Sequence, residues 1–125
     1  MFIPLTYMNR DYNHLLPIVL DAMFPDETER QAVIEILSSY GKESYHREQD
    51  RVHLGILKLA RTDPDRLREF TQLACVDYRD LLCAAEYPLS SHPIGLSEKE
   101  PERYRELQEK ELAEYEAWLE AMLST

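Results

Sequence analysis

The chain has 125 residues, 44% hydrophobic and 30% charged, the balance of a globular domain with enough apolar material for a core of its own. Its 24 Asp and Glu against 14 Lys and Arg leave a net charge of −10, a field that repels phosphate backbones and anionic bilayers, so neither nucleic acid nor a membrane is an expected partner. No apolar run approaches the ~20 residues of a spanning helix, and MFIPLTYMNR lacks the basic start and apolar stretch of a signal peptide, so a cytoplasmic protein is expected.

Residues 1–12 read as an irregular arm whose Phe2, Ile3, Leu5 and Tyr7 can dock on a core. A short helix is predicted over about 13–24, with Asn13 as its cap and Pro17 in its first turn. Phe24-Pro25-Asp26 breaks it and begins a second helix over 26–40, striped by Val33, Ile36, Leu37 and Tyr40. Asp26 and Glu29 have capping-box spacing, and Gly41 stands where a left-handed residue closes a helix. A third helix, 43–61, places Tyr45, Val52, Ile56 and Leu59 on one face. Thr62-Asp63-Pro64 opens a fourth, with Asp63 as cap and Pro64 in the first helical position, and Pro88 ends it. A fifth helix spans 98–123, with Tyr104, Leu107, Leu112, Tyr115, Trp118, Leu119 and Met122 on a broad stripe. No segment alternates with the strand period. The predicted fold is all-α: one domain over 1–125, about five helices in a compact, mostly antiparallel bundle, preceded by the arm. The long last helix outruns the others, and its apolar stripe allows a homodimer.

Both cysteines lie in ACVDYRDLLCAAEYP, residues 74–88. On a continuous helix, Cys75 and Cys83 are separated by roughly 12 Å, whereas a disulfide needs less than about 7 Å. They are therefore expected to be free thiols, as in a reducing compartment. Helical phase puts Asp77 among Leu73, Leu81 and Ala84, inside the apolar stripe. It is expected to be a buried carboxylate paired with a donor from another element, with Tyr78 beside it as a second structural polar residue.

The stretch RVHLGILKLARTDPDRLREFTQLACVDYRDLLCAAEYP, residues 51–88, resembles a family of small uncharacterised bacterial proteins. These carry R-V-x-L-x-x-L-K-L, a short polar turn, D-Y-R-D and A-E-Y-P. The resemblance covers about a third of the chain. It implies a bacterial cytoplasmic origin and a helical hairpin of helices three and four. It implies no activity and no catalytic residue.

Three of the four histidines follow an acid by three positions: Asp11/His14, Glu43/His46 and Asp50/His53. Di-iron bundles use Glu-x-x-His because residues three apart share a helix face. His46, Asp50 and His53 recur at i, i+4 and i+7 and are the candidate metal ligands. The full di-iron set is missing, since Glu43/His46 is the sole Glu-x-x-His, and 24 acids in 125 residues produce such spacings by chance. No phosphate loop, G-x-S-x-G, H-E-x-x-H or paired C-x-x-C occurs. The expected function is a non-enzymatic helical interaction module with a protein partner and no cofactor. The rival is a small metal-dependent or pocket-based enzyme using His46, Asp50, His53 and Asp77.

Overall fold

The computed structural model describes residues 12–88 and 100–124, and every regular element in them is an α-helix. They are α1 (Tyr12–Met23), α2 (Glu27–Leu37), α3 (Gln49–Ala60), α4 (Pro64–Val76), α5 (Tyr78–Glu86) and α6 (Pro101–Leu123). The arm, apart from Tyr12, and the loop that follows Pro88 lie outside the described residues. The all-helical expectation holds. Among the described residues there are six helices rather than the expected five, because the fourth is two helices, divided at Asp77.

Several boundaries follow from local chemistry. The Asp26 carboxylate accepts the Glu29 amide at 2.9 Å and opens α2. The Asp63 carboxylate accepts the Asp65 and Arg66 amides, and Pro64 begins α4. Pro17 lies inside α1, beyond the first turn expected for it, and removes one intrahelical hydrogen bond there. The second helix stops at Leu37 rather than 40, and the chain turns through Tyr40 to Gly41, whose φ is +118°. The third helix begins at Gln49 rather than 43. Glu48, at φ +48° and ψ +47°, is left-handed, and a right-handed helix cannot run through that conformation. Tyr45 therefore does not share a helix face with Val52 and Ile56, and it is exposed.

Helix α3 is the centre of the fold. α4 and α5 both pack on it, as does α1; α2 packs on α4, and α6 on α1 and α5. Residues 51–57 and Ala60 of α3 are all buried, so the helix is enclosed around its whole circumference. At Gly55 the α5 helix comes very close: a methyl group there would stand 3.0 Å from Leu81 Cδ1 and 3.2 Å from Ala85 Cβ. One turn earlier, Arg51 reaches α5 through a two-pronged ion pair. Its Nε donates to Glu86 Oε2 at 2.8 Å and its Nη2 to Glu86 Oε1 at 2.5 Å, and the Glu86 side chain is wholly buried. Arg51 Nη1 also donates to both carboxylate oxygens of Glu48 at 3.2 Å.

In α6 the stripe is satisfied within the chain. Leu112, Tyr115 and Leu119 are buried, and Trp118 and Met122 pack against the same core. The N-terminal half is mostly exposed and enters the interior at Gln108, which is buried and whose Nε2 donates to Tyr104 Oη at 3.0 Å. The C-terminal part of the stripe is thus covered where α6 packs on α1 and α5.

Candidate functional site

The division of the expected fourth helix shapes one wall of a surface cleft. Asp77 has extended backbone angles, φ −154° and ψ 96°, and its carboxylate accepts the Arg79 amide at 3.0 Å and the Asp80 amide at 3.4 Å. One residue thus ends α4 and caps α5. Asp77 is exposed, which corrects the buried, cross-helix pairing expected from a continuous helical phase. The polar side chain competes locally for backbone donors, and that outweighs helix continuation. Asp77→Ala is accordingly expected to cost about 1 kcal/mol, the loss of an exposed cap, in a urea melt. A loss several times larger would point to buried pairing. Tyr78 is half-buried and packs against the core, with the Arg79 guanidinium 5.8 Å above its ring.

Facing this break is the turn between α2 and α3, organised around Tyr40. The Tyr40 ring is buried, and its hydroxyl donates to the Arg47 carbonyl at 2.7 Å while accepting the Arg47 amide at 3.1 Å. The His46 ring stacks on it at 4.4 Å and 17°. His46 Nδ1 accepts the Gly41 amide at 2.7 Å and the Glu43 amide at 3.3 Å, which fixes the neutral ring with its proton on Nε2. His53 approaches from α3, with Nε2 2.8 Å from the Tyr40 carbonyl. A carbonyl only accepts, so that nitrogen carries the proton. Burial holds the His53 pKa below its ordinary 6.5, against smaller opposing effects of the Tyr40 and Leu37 carbonyls and Asp50.

Between turn and break lies an open cleft of about 350 Å³ lined by Tyr40, Tyr45, His46, residues 74–76, Asp77, Tyr78 and Arg79. Tyr45 is 66% exposed and Val76 81%, unusually high for large apolar side chains. Cys75 lies at the edge, its Sγ 3.6 Å from the Ser39 carbonyl, and also lines a second cleft between α2 and α4 with Ile36, Arg68 and Gln72. Cys75 and Cys83 are both free, as expected, although they lie on two helices rather than one. Burial raises both thiols, so neither is poised as a thiolate near neutral pH.

The expected metal set is not brought together. His46 lies in the turn, outside α3, so the i, i+4, i+7 relation to Asp50 and His53 is lost. His46 and His53 instead hold opposite sides of Tyr40 through backbone groups. Among the described residues no three His, Cys, Asp or Glu side chains converge as metal ligands would. Asp77 and His46 share the cleft; His53 and Asp50 do not line it. The sequence reading missed Tyr40 as an organiser. Its signal was faint: a tyrosine next to Gly41, with a histidine five positions beyond that glycine. Among the described residues no helix is long and apolar enough to cross a membrane. No protein-family model, curated protein or solved structure matches the chain.

Proposed function

We propose that the protein is a non-enzymatic helical interaction module, and that the cleft between Tyr45 and Val76 receives a segment of a protein partner. The observation that carries this reading is the pair of exposed apolar side chains on the two walls of one cleft, with Tyr78 and Arg79 between them. Tyr and Arg are the residue types that anchor protein interfaces, since each combines a large contact area with a polar group. The net charge of −10 favours a basic segment, steered by the long-range field and anchored by an apolar side chain. The resemblance over residues 51–88 and the mostly antiparallel bundle expected from short connections belong to the same proposal, which places the module in a bacterial cytoplasm. Support for the enzyme alternative is thinner, because only His46 and Asp77 of its four residues line the cleft.

The test is selection of peptides from a random display library on the full chain, followed by titration of the selected peptides. Selected peptides are expected to be basic with an apolar anchor, and to weaken as salt rises. The double substitution Tyr45→Ser/Val76→Ser, at two exposed positions, is expected to reduce binding at least tenfold with the helical content unchanged. Peptides that bind the double variant equally well would place the interaction elsewhere. A second copy of the chain is the competing occupant. Light scattering separates it, since a mass well above the 14.8 kDa of one chain that falls in the double variant would assign the cleft to self-association.

A further inference from the structure

We propose that the turn from Ser38 to Glu48 is an acid-released strap, held closed by His46 and forming one wall of the cleft. The argument rests on geometry. Within the turn, His46 Nδ1 is the acceptor for two backbone amides, those of Gly41 and Glu43, and its ring lies flat against Tyr40. An acceptor nitrogen that takes up a proton becomes a donor, and two N–H groups then point at a third. Both contacts are lost together, and with them the arrangement that keeps the His46 ring on Tyr40. The carbonyl of the Tyr40–Gly41 peptide is held separately, from α3, where His53 Nε2 donates to Tyr40 O at 2.8 Å, so His46 is what ties the turn beyond it to the Gly41 amide. The Tyr40 hydroxyl ties down only Arg47, and Glu48 already occupies a left-handed backbone conformation that a non-glycine residue adopts at a cost.

The ionisable groups around His46 do not replace this control. Glu43, Arg47 and Glu48 lie in the same turn, and Tyr40 and Tyr45 contact the ring. From the α4–α5 side the cleft brings Cys75, Asp77, Tyr78 and Arg79. Asp77 and Arg79 carry opposite charges, and neither makes a hydrogen bond to His46 among the described contacts. On the far side of Tyr40, His53 faces the Tyr40 and Leu37 carbonyls and Asp50. Closure requires the unprotonated Nδ1. It is therefore complete while Nδ1 carries no proton and is lost as falling pH protonates it. Opening carries Tyr45 away from Val76 and dismantles the cleft. The readout below monitors the strap itself, so it stands or falls independently of whether a partner binds there.

The experiment is amide hydrogen exchange by NMR on the full chain at about pH 8 and about pH 5, expressed as protection factors so that the intrinsic pH dependence cancels. In the unmodified protein the Gly41 protection factor is expected to fall at least tenfold at the lower pH, while Leu54 in the centre of α3 stays protected. In His46→Asn the fall at Gly41 is expected to disappear, because an amide oxygen accepts from the same position without titrating. Three results would overturn the proposal: an unchanged Gly41 in the unmodified protein, an equal fall in His46→Asn, or loss of Leu54 together with Gly41, which is global unfolding. Should the variant not fold, the imidazole nitrogen resonances of the unmodified protein decide. A His46 Nδ1 already protonated at about pH 8, or one that titrates without moving the Gly41 amide, would equally sink it.

Discussion

Glu86→Ala is expected to lower the stability of the protein by about 3–5 kcal/mol, read as a shift of the urea midpoint at unchanged slope. The substitution removes both acceptors of the Arg51–Glu86 pair and leaves the guanidinium between α3 and α5, with the partly exposed Glu48 carboxylate as its remaining charged neighbour among the contacts described above. A buried cation that loses its closest counter-charge bears again part of the desolvation cost which that pair offset. Small domains have only about 5–15 kcal/mol in total, so the variant stands close to unfolding at room temperature. The double variant Arg51→Met/Glu86→Leu is expected to recover most of the loss, because apolar groups of similar volume avoid the desolvation of both charges. A Glu86→Ala protein as stable as the parent would mean that the pair contributes nothing and that Arg51 finds water. A double variant as unstable as the single would mean that the pair, rather than its stranding, holds α3 to α5.

The second large effect is expected at Gly55. A leucine there must place its side chain where Leu81 Cδ1 and Ala85 Cβ already stand within 3.0–3.2 Å of the first added carbon. Leu81 can turn aside, but the Ala85 methyl is fixed to the α5 backbone, so the two helices must separate. Overpacking of this kind costs about 1–3 kcal/mol and sometimes more, and the upper end is expected for Gly55→Leu. Gly55→Ala is a milder case. Alanine is favoured over glycine inside a helix by roughly 0.5–1 kcal/mol, which offsets part of the crowding. The expected order of thermal stability is therefore parent, then Gly55→Ala, then Gly55→Leu, by calorimetry. Gly55→Leu melting with the parent would show that α5 stands off from α3 in solution.

These two sites mark the boundary of what the chain discloses by itself. Helix starts were legible where a short polar residue and a proline meet, as at Asp26 and at Asp63-Pro64, because the capping contacts span only two or three residues. The same logic applies at Asp77, which stands three residues before Asp80 as Asp26 stands before Glu29. It was obscured because the apolar stripe runs through it in phase and no Gly or Pro announces a break. Arg51 and Glu86 are 35 positions apart, and nothing local tells an arginine which of 24 acids it will meet. The role of His46 was hidden for a different reason. Its acid-x-x-His spacing suggested a helix face, whereas the left-handed Glu48 places it in a turn where it serves backbone amides. Periodicity reports which residues face inward along a helix, and it carries no information once the helix has ended.

The packing of α1 on α6 has a consequence for how the chain is made. Synthesis is vectorial and delivers α1 about a hundred residues ahead of the helix that covers part of it. At ribosomal rates of roughly 5–20 residues per second, the flank of α1 that α6 will shield waits for several seconds, time enough for a chaperone or a neighbouring nascent chain to find it. α2 to α5 can meanwhile pack with one another, so α6 closes over a partly assembled core. A chain released before α6 is complete would leave that flank of α1 uncovered.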